Sequence, residues 1–304
     1  MNDKPSLQER LVAAGFGAGW AVVPRLPESL TAWAFRTAAD RLWKRRGGQV
    51  LRLEANLARV RGTSPDDPAI RELSRAGMRS YFRYFHEVFR LPSMRPEEIL
   101  SRTRAHNAEL VQEILGTGRG VVFALPHMGN WDQAGAWFVQ TGQPFTTVAE
   151  RLRPESLFHR YTAFREGLGM EVLPLTGGDN QVFALLAQRL RAGRPVALPA
   201  DRDLTARGIE VKFFGAATRM PAGPAMLALH TGAALIPAIL SFQGRDWVVR
   251  FCDELPPPAE GTRQEKVAAL TQDLATVFEK GIAEHPEDWH MLQRLWLEDL
   301  EPRG

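Results

Sequence analysis

A single cysteine, Cys252, stands in 304 residues. One thiol excludes an internal disulfide and any cysteine-built zinc cage. Its setting, WVVRFCDEL, reads as a strand in which a lone Cys is a small hydrophobe. Excess charge is missing too: 38 Lys+Arg face 35 Asp+Glu, too even a balance for a nucleic-acid binder. No apolar run reaches bilayer length. LVAAGFGAGWAVV, residues 11–23, stops at Pro24, whereas a span needs about 20 residues. The start MNDKPSLQER is mixed in charge with no small-residue cleavage site behind it, so neither a secretory leader nor a transmembrane helix is expected. The zinc-protease pattern H-E-x-x-H does not occur. His106, His159, His285 and His290 lie scattered in polar stretches and read as surface histidines, so no metal is expected. Repeats and low-complexity tracts are lacking as well.

What is there is an ordinary globular composition, 44% hydrophobic and 24% charged, long enough to bury a core without staples. Residues 5–60 carry helical, amphipathic patterns. LTAWAFRTAADRLWKRRGG at 30–48 mixes Trp33, Phe35, Leu42 and Trp43 with five basic side chains. That pattern suits either a helix packed on the core or one lying in a membrane interface. A second helix over 69–90 carries an aromatic stripe, Tyr81, Phe82, Tyr84, Phe85 and Phe89, of a kind that is more often core than ligand box.

From residue 119 the texture alternates. GVVFALPH, PFTTVAE, MEVLPL, RPVALPAD, IEVKFFG, LIPAILSF and WVVRFC read as strands, with helical patterns between several of them. The expected fold is α/β: a central mostly parallel or mixed sheet covered by helices on both faces. A helical cap over 1–100 and an α/β core over 101–304 make one domain. Ligands in such sheets sit at the carboxyl ends of strands.

LPHMGNWD, residues 125–132, lies at one of those ends. Pro126 stops the strand, His127 emerges, Gly129 and Asn130 suit a turn, and Asp132 falls in the first turn of the next helix. A histidine near a carboxylate is a satisfied core pair, a metal site or a general base. The strand-end position favours the base, because a carboxylate on one ring nitrogen fixes the tautomer and frees the other to take a proton. Glu150, Asp201 and Asp203 also follow strand-like runs. Arg202, Arg207 and Lys212 are candidates for a phosphate patch, since guanidinium binds phosphate through two N–H groups.

HMGNWD resembles the His-x4-Asp signature of glycerolipid acyltransferases. VKFFGAATRMPAGPAMLALHTGAALIPA (211–238), ERLRPESLFHRYTAFREGLGMEVLP (150–174) and HPEDWHMLQRLW (285–296) are similar to blocks of the bacterial lipid A lauroyl/myristoyl acyltransferase family. The resemblance spans roughly residues 70–296. It implies His127 as base and Asp132 as its signature partner. Asp201, where the family often has another acid, is the second candidate for orienting the imidazole. Glu150 and Arg165 match charged positions near the acyl donor. Arg207 and, within the 211–238 run, His230 join them as substrate-side candidates. The implied activity moves a long-chain acyl group, palmitoyl as the expected chain, from acyl-coenzyme A to a sugar hydroxyl of a membrane glycolipid. No permanently bound cofactor is implied. The implied place is an anionic inner-membrane surface, reached peripherally from the cytoplasmic face of the cell membrane. A hydrolase that uses water in place of the glycolipid, and a lipid-binding protein without activity, are the rivals.

Overall fold

The computed structural model describes residues 6–150, 154–175, 180–203 and 207–300. Four helices lead, α1 (Leu7–Val22), α2 (Glu28–Lys44), α3 (Gly48–Arg61) and α4 (Pro68–Arg90). Then come α5 (Pro96–Ser101), β1 (Thr103–His106) and α6 (Ala108–Gly116). Strands and helices alternate from there: β2 (Val121–Leu125), α7 (Trp131–Gln140), β3 (Thr146–Glu150), α8 (Glu155–Gly167), β4 (Glu171–Leu175), α9 (Asn180–Arg191) and β5 (Val196–Pro199). A hairpin, β6 (Ile209–Phe213) and β7 (Ala216–Met220), precedes α10 (Gly223–Thr231), β8 (Ala234–Gln243), β9 (Asp246–Phe251), α11 (Arg263–Glu284) and the short α12 (Leu297–Leu300).

Seven strands form the main sheet in the order β1-β9-β8-β2-β5-β3-β4. β8, β2, β5, β3 and β4 run parallel; β8 and β9 are antiparallel neighbours. The α/β class and the mostly parallel, helix-flanked sheet are as the alternating pattern implies. β2 sits at the centre, and all five of its residues are buried. A strand with neighbours on both sides and helices over it reads as an unbroken apolar run, and VVFAL is one.

IEVKFFG behaves differently from the expectation. As β6 it pairs only with β7, antiparallel, and stays out of the main sheet. Its periodicity is that of a strand, but strand order is not written in periodicity. The aromatic stripe of α4 is core: Phe85 and Phe89 meet Phe16 of α1 with ring centroids 5.6 Å away in both pairs. Trp20 of α1 extends the cluster to Phe164 of α8 at 5.6 Å. The two tryptophans of α2 differ in burial. Trp43 is buried, with its indole N–H donating to Ser74 and the Arg71 guanidinium 3.8 Å over its ring, while Trp33 is 64% exposed.

Candidate active site

The registers explain which groups meet. Leu125 of β2 pairs with Pro199 of β5 in parallel, and the Ala200 N–H donates to the Leu125 carbonyl over 2.8 Å. Two residues beyond that pair, the chains carry His127 and Asp201. Parallel neighbours in this register present them side by side at the carboxyl edge. His127 Nδ1 lies 2.5 Å from Asp201 Oδ1, and the His127 main-chain N–H donates to Oδ2 over 3.0 Å. The Trp289 indole N–H adds a second donor to Oδ2 at 2.9 Å. Asp201 is fully buried, whereas the His127 side chain keeps 34% of its surface open. With Nδ1 on Asp201, Nε2 is the nitrogen left for a substrate proton.

Asp132, the signature acid, turns elsewhere. It begins α7, whose Asn130 caps the helix by accepting the Gln133 N–H over 3.0 Å. From that first turn its carboxylate accepts from Arg165 Nε of α8 at 2.6 Å and from the Tyr84 hydroxyl of α4 at 2.7 Å. Between the two candidate acids, the imidazole therefore has Asp201, and Asp132 ties three helices together. The left-handed turn before α7 requires glycine. Gly129 has φ +59°, and a Cβ there would lie 2.7 Å from the main chain of Leu240 in β8.

Charge balance follows from this packing. Burial disfavours protonated His127, but the Asp201 carboxylate outweighs it and raises the imidazole above its ordinary 6.5. Burial alone would lift Asp201; the paired His127 and the Trp289 N–H hold it below the usual carboxylate value. Glu150, exposed at the end of β3, favours the charged imidazole, and Arg202 opposes it. Burial likewise opposes the charge on Arg165, and Asp132 reverses that, keeping it firmly protonated.

Beside His127 an apolar pocket of about 90 Å³ opens between α7 and one face of the sheet. Alternate strand residues line it, Phe123 and Leu125, Ala197 and Pro199, Ala238 and Leu240, as a period of two dictates. Trp131, whose ring meets that of His127 edge-on at 5.7 Å, lines it too, with Asp132 and Arg165 as its charged wall.

Two other candidates fall outside this group. His230 ends α10, two residues before the Gly232 carbonyl that Arg119 holds, and β8 starts at Ala234 beside Val121. That is the amino edge of the parallel strands, opposite His127, and there His230 meets Arg191. Arg207 is exposed on the segment between Asp201 and β6. Among the surface-read histidines, His290 is a correction: it is 7% exposed. Its Nε2 is 3.0 Å from Ser80 Oγ, which donates to Asp288 at 2.7 Å. Burial pushes Asp288 up to about 6 and His290 down to about 3. Polar neighbours in sequence hid this, because the burying groups come from α4, some 200 positions earlier in the chain. His285, Glu287 and Asp288 bring ligand-type atoms within 4.8 Å of one another, but Asp288 already accepts from Ser80 and from the Phe242 N–H.

The model of the bacterial lipid A biosynthesis acyltransferase family matches residues 6–298 of this chain. A phosphatidylinositol mannoside acyltransferase of Mycolicibacterium smegmatis is 49% identical over 286 residues, 94% of this chain and 91% of the relative. Its namesake in Mycobacterium tuberculosis is 49% identical over 290 residues, 94% of this chain and 88% of the relative.

Proposed function

The chain belongs to the bacterial lipid A biosynthesis acyltransferase family and is an O-acyltransferase, and from that premise we propose that it moves a long-chain acyl group from acyl-coenzyme A to a sugar hydroxyl of a phosphatidylinositol mannoside, with His127 as base. The observation that carries the reading is the His127–Asp201 pair beside the apolar pocket. The names of the relatives support the acceptor.

The acyl chain lies in the pocket and its thioester carbonyl reaches the start of α7. His127 Nε2 takes the hydroxyl proton as the oxygen attacks that carbonyl, and Asp201 stabilises the imidazolium that forms. The main-chain N–H groups of Trp131 and Asp132, ahead of the capped Gln133, suit the developing oxyanion. The thiolate leaves on collapse, and the proton held by His127 goes to it. No covalent enzyme intermediate is needed. Coenzyme phosphates suit Arg202, the neighbour of Asp201 whose charge reaches His127. Among the described residues no helix is long and apolar enough to cross a membrane. In this reading the lipid acceptor is met at the membrane surface, from the cytoplasmic side that holds the coenzyme A donor.

Labelled palmitoyl-coenzyme A incubated with phosphatidylinositol mannosides tests this. Label should move to the glycolipid, and His127→Ala should lower the rate by about a hundred- to ten-thousandfold while the protein stays folded. Equal thioester loss without any acceptor would make the protein a hydrolase, and parental turnover in His127→Ala would remove the base.

A further inference from the structure

HPEDWHM, residues 285–291, is a stretch to which the proposed reaction gives no role. Yet it wraps the base. Trp289 forms an antiparallel bridge with Met128. On either side of that bridge, the Gly129 N–H donates to the Asp288 carbonyl over 2.9 Å and the His290 N–H to the His127 carbonyl over 2.8 Å. The same segment therefore holds the loop that carries His127 and sends an indole N–H to Asp201.

We propose that Trp289 is a positioning residue for the base: its indole N–H and the His127 main-chain N–H clamp Oδ2 of Asp201, which keeps Oδ1 on the imidazole. The inference rests on His127 acting as the base. A carboxylate held only through Oδ1 is free to turn about its Cβ–Cγ bond, and two donors on Oδ2 remove that freedom. The indole itself has no freedom to lose. Trp289 is fully buried, with Phe213 at 6.1 Å and Trp296 at 6.3 Å between ring centroids. Filling that space needs only an aromatic ring, and a phenyl would serve. Directing the ring's one donor at a buried carboxylate is a separate property, and it is what the reaction uses. Ser80 and the Phe242 N–H, both on Asp288, anchor the segment from behind.

The test replaces Trp289 by Phe and, to keep shape, by benzothienylalanine, in which sulfur stands for the indole N–H. Two readouts are taken: the imidazole Nδ1–H proton resonance with its titration, and kcat and KM for palmitoyl-coenzyme A across pH. Without the indole donor the Asp201 charge falls on His127 alone, so the His127 titration midpoint should rise. Glu150, Arg202 and His290, the other groups that act on His127, stay in place in both variants. The rate constant kcat should drop on the order of tenfold, the usual worth of one hydrogen bond to a charged group, with KM unchanged. In an Asp201→Asn background the same replacement should cost almost nothing more. An unmoved resonance and midpoint in the benzothienylalanine protein would overturn the proposal, and so would a loss that simply adds to that of Asp201→Asn. The resonance reads the hydrogen bond whether or not His127 proves to be the base, so the two readings fail separately.

Discussion

Asp201 and Asp132 are both buried carboxylates, but they neutralise different partners and losing each should show in a different measurement. In Asp201→Asn the imidazole loses the charge that lifts it above 6.5, while burial still disfavours its protonated form. The acid limb of kcat/KM should therefore move to lower pH as the plateau falls. An unmoved limb would detach Asp201 from the base. The same pair stabilises the fold below the unfolded imidazole value of about 6.5, and that contribution fades as pH climbs through the raised folded value. Asp132→Asn instead leaves Arg165 buried without its counter-charge, a loss of about 3–5 kcal/mol when one partner of a buried pair is removed. Urea unfolding should register it, and equal stability of parent and variant would make the pair dispensable. The strand-end position of His127 was legible from the chain alone, because a buried run, a proline and a turn mark it. The assignment of its acid was not, since Asp201 reaches the imidazole only because β5 happens to lie beside β2.

At the scale of elements, the C-terminal segment after α11 is held by two buried titratable groups whose folded values move in opposite directions. His290, driven down to about 3, is neutral in the fold. As pH drops below about 6.5 the unfolded chain takes up a proton that the folded one refuses, which removes about 1.4 kcal/mol per pH unit. Asp288 works the other way: its folded value of about 6 lies above that of the unfolded chain, so protonation from pH 6 downward favours the fold. His290→Gln abolishes the first contribution and keeps the second. Unfolding free energies at pH 7 and pH 5 should then fall less between the two for the variant than for the parent; an equal fall would mean that His290 charges freely in the fold. The sequence resemblance marked this segment but said nothing of its burial, which depends on Ser80 of α4. Six of the seven strands of the central sheet were legible from their apolar residues, whereas β1 was missed, its TRAH having one apolar residue in four. β7 was missed as well, because AATRM lacks the apolar run that marks the legible strands.

For the whole molecule, the question is which surface meets the lipid. Exposed apolar side chains follow one another along α1, the turn after it and the first half of α2: Leu7 and Leu11, Val22 and Leu26, Leu30 and Trp33. Arg41, Lys44 and Arg45 are exposed farther along α2, whereas Arg46 is tied to Glu54. Insertion of the apolar row and attraction of the three cations to anionic head groups are separable, because only the second is screened, over about 10 Å at 0.1 M salt. Near such a surface each charge is worth about 1 kcal/mol. Replacing Arg41, Lys44 and Arg45 with Gln should weaken binding to vesicles containing phosphatidylinositol at low salt and flatten the salt dependence. Replacing Leu11, Leu30 and Trp33 with Ser should weaken it at every salt concentration and on neutral vesicles as well. Turnover on a detergent-dispersed acceptor should survive in both, since neither set belongs to the described pocket or the His127–Asp201 pair. If both variants sediment with vesicles as the parent does, the acceptor is met on another face of the molecule, and the row along α1 and α2 has no part in it.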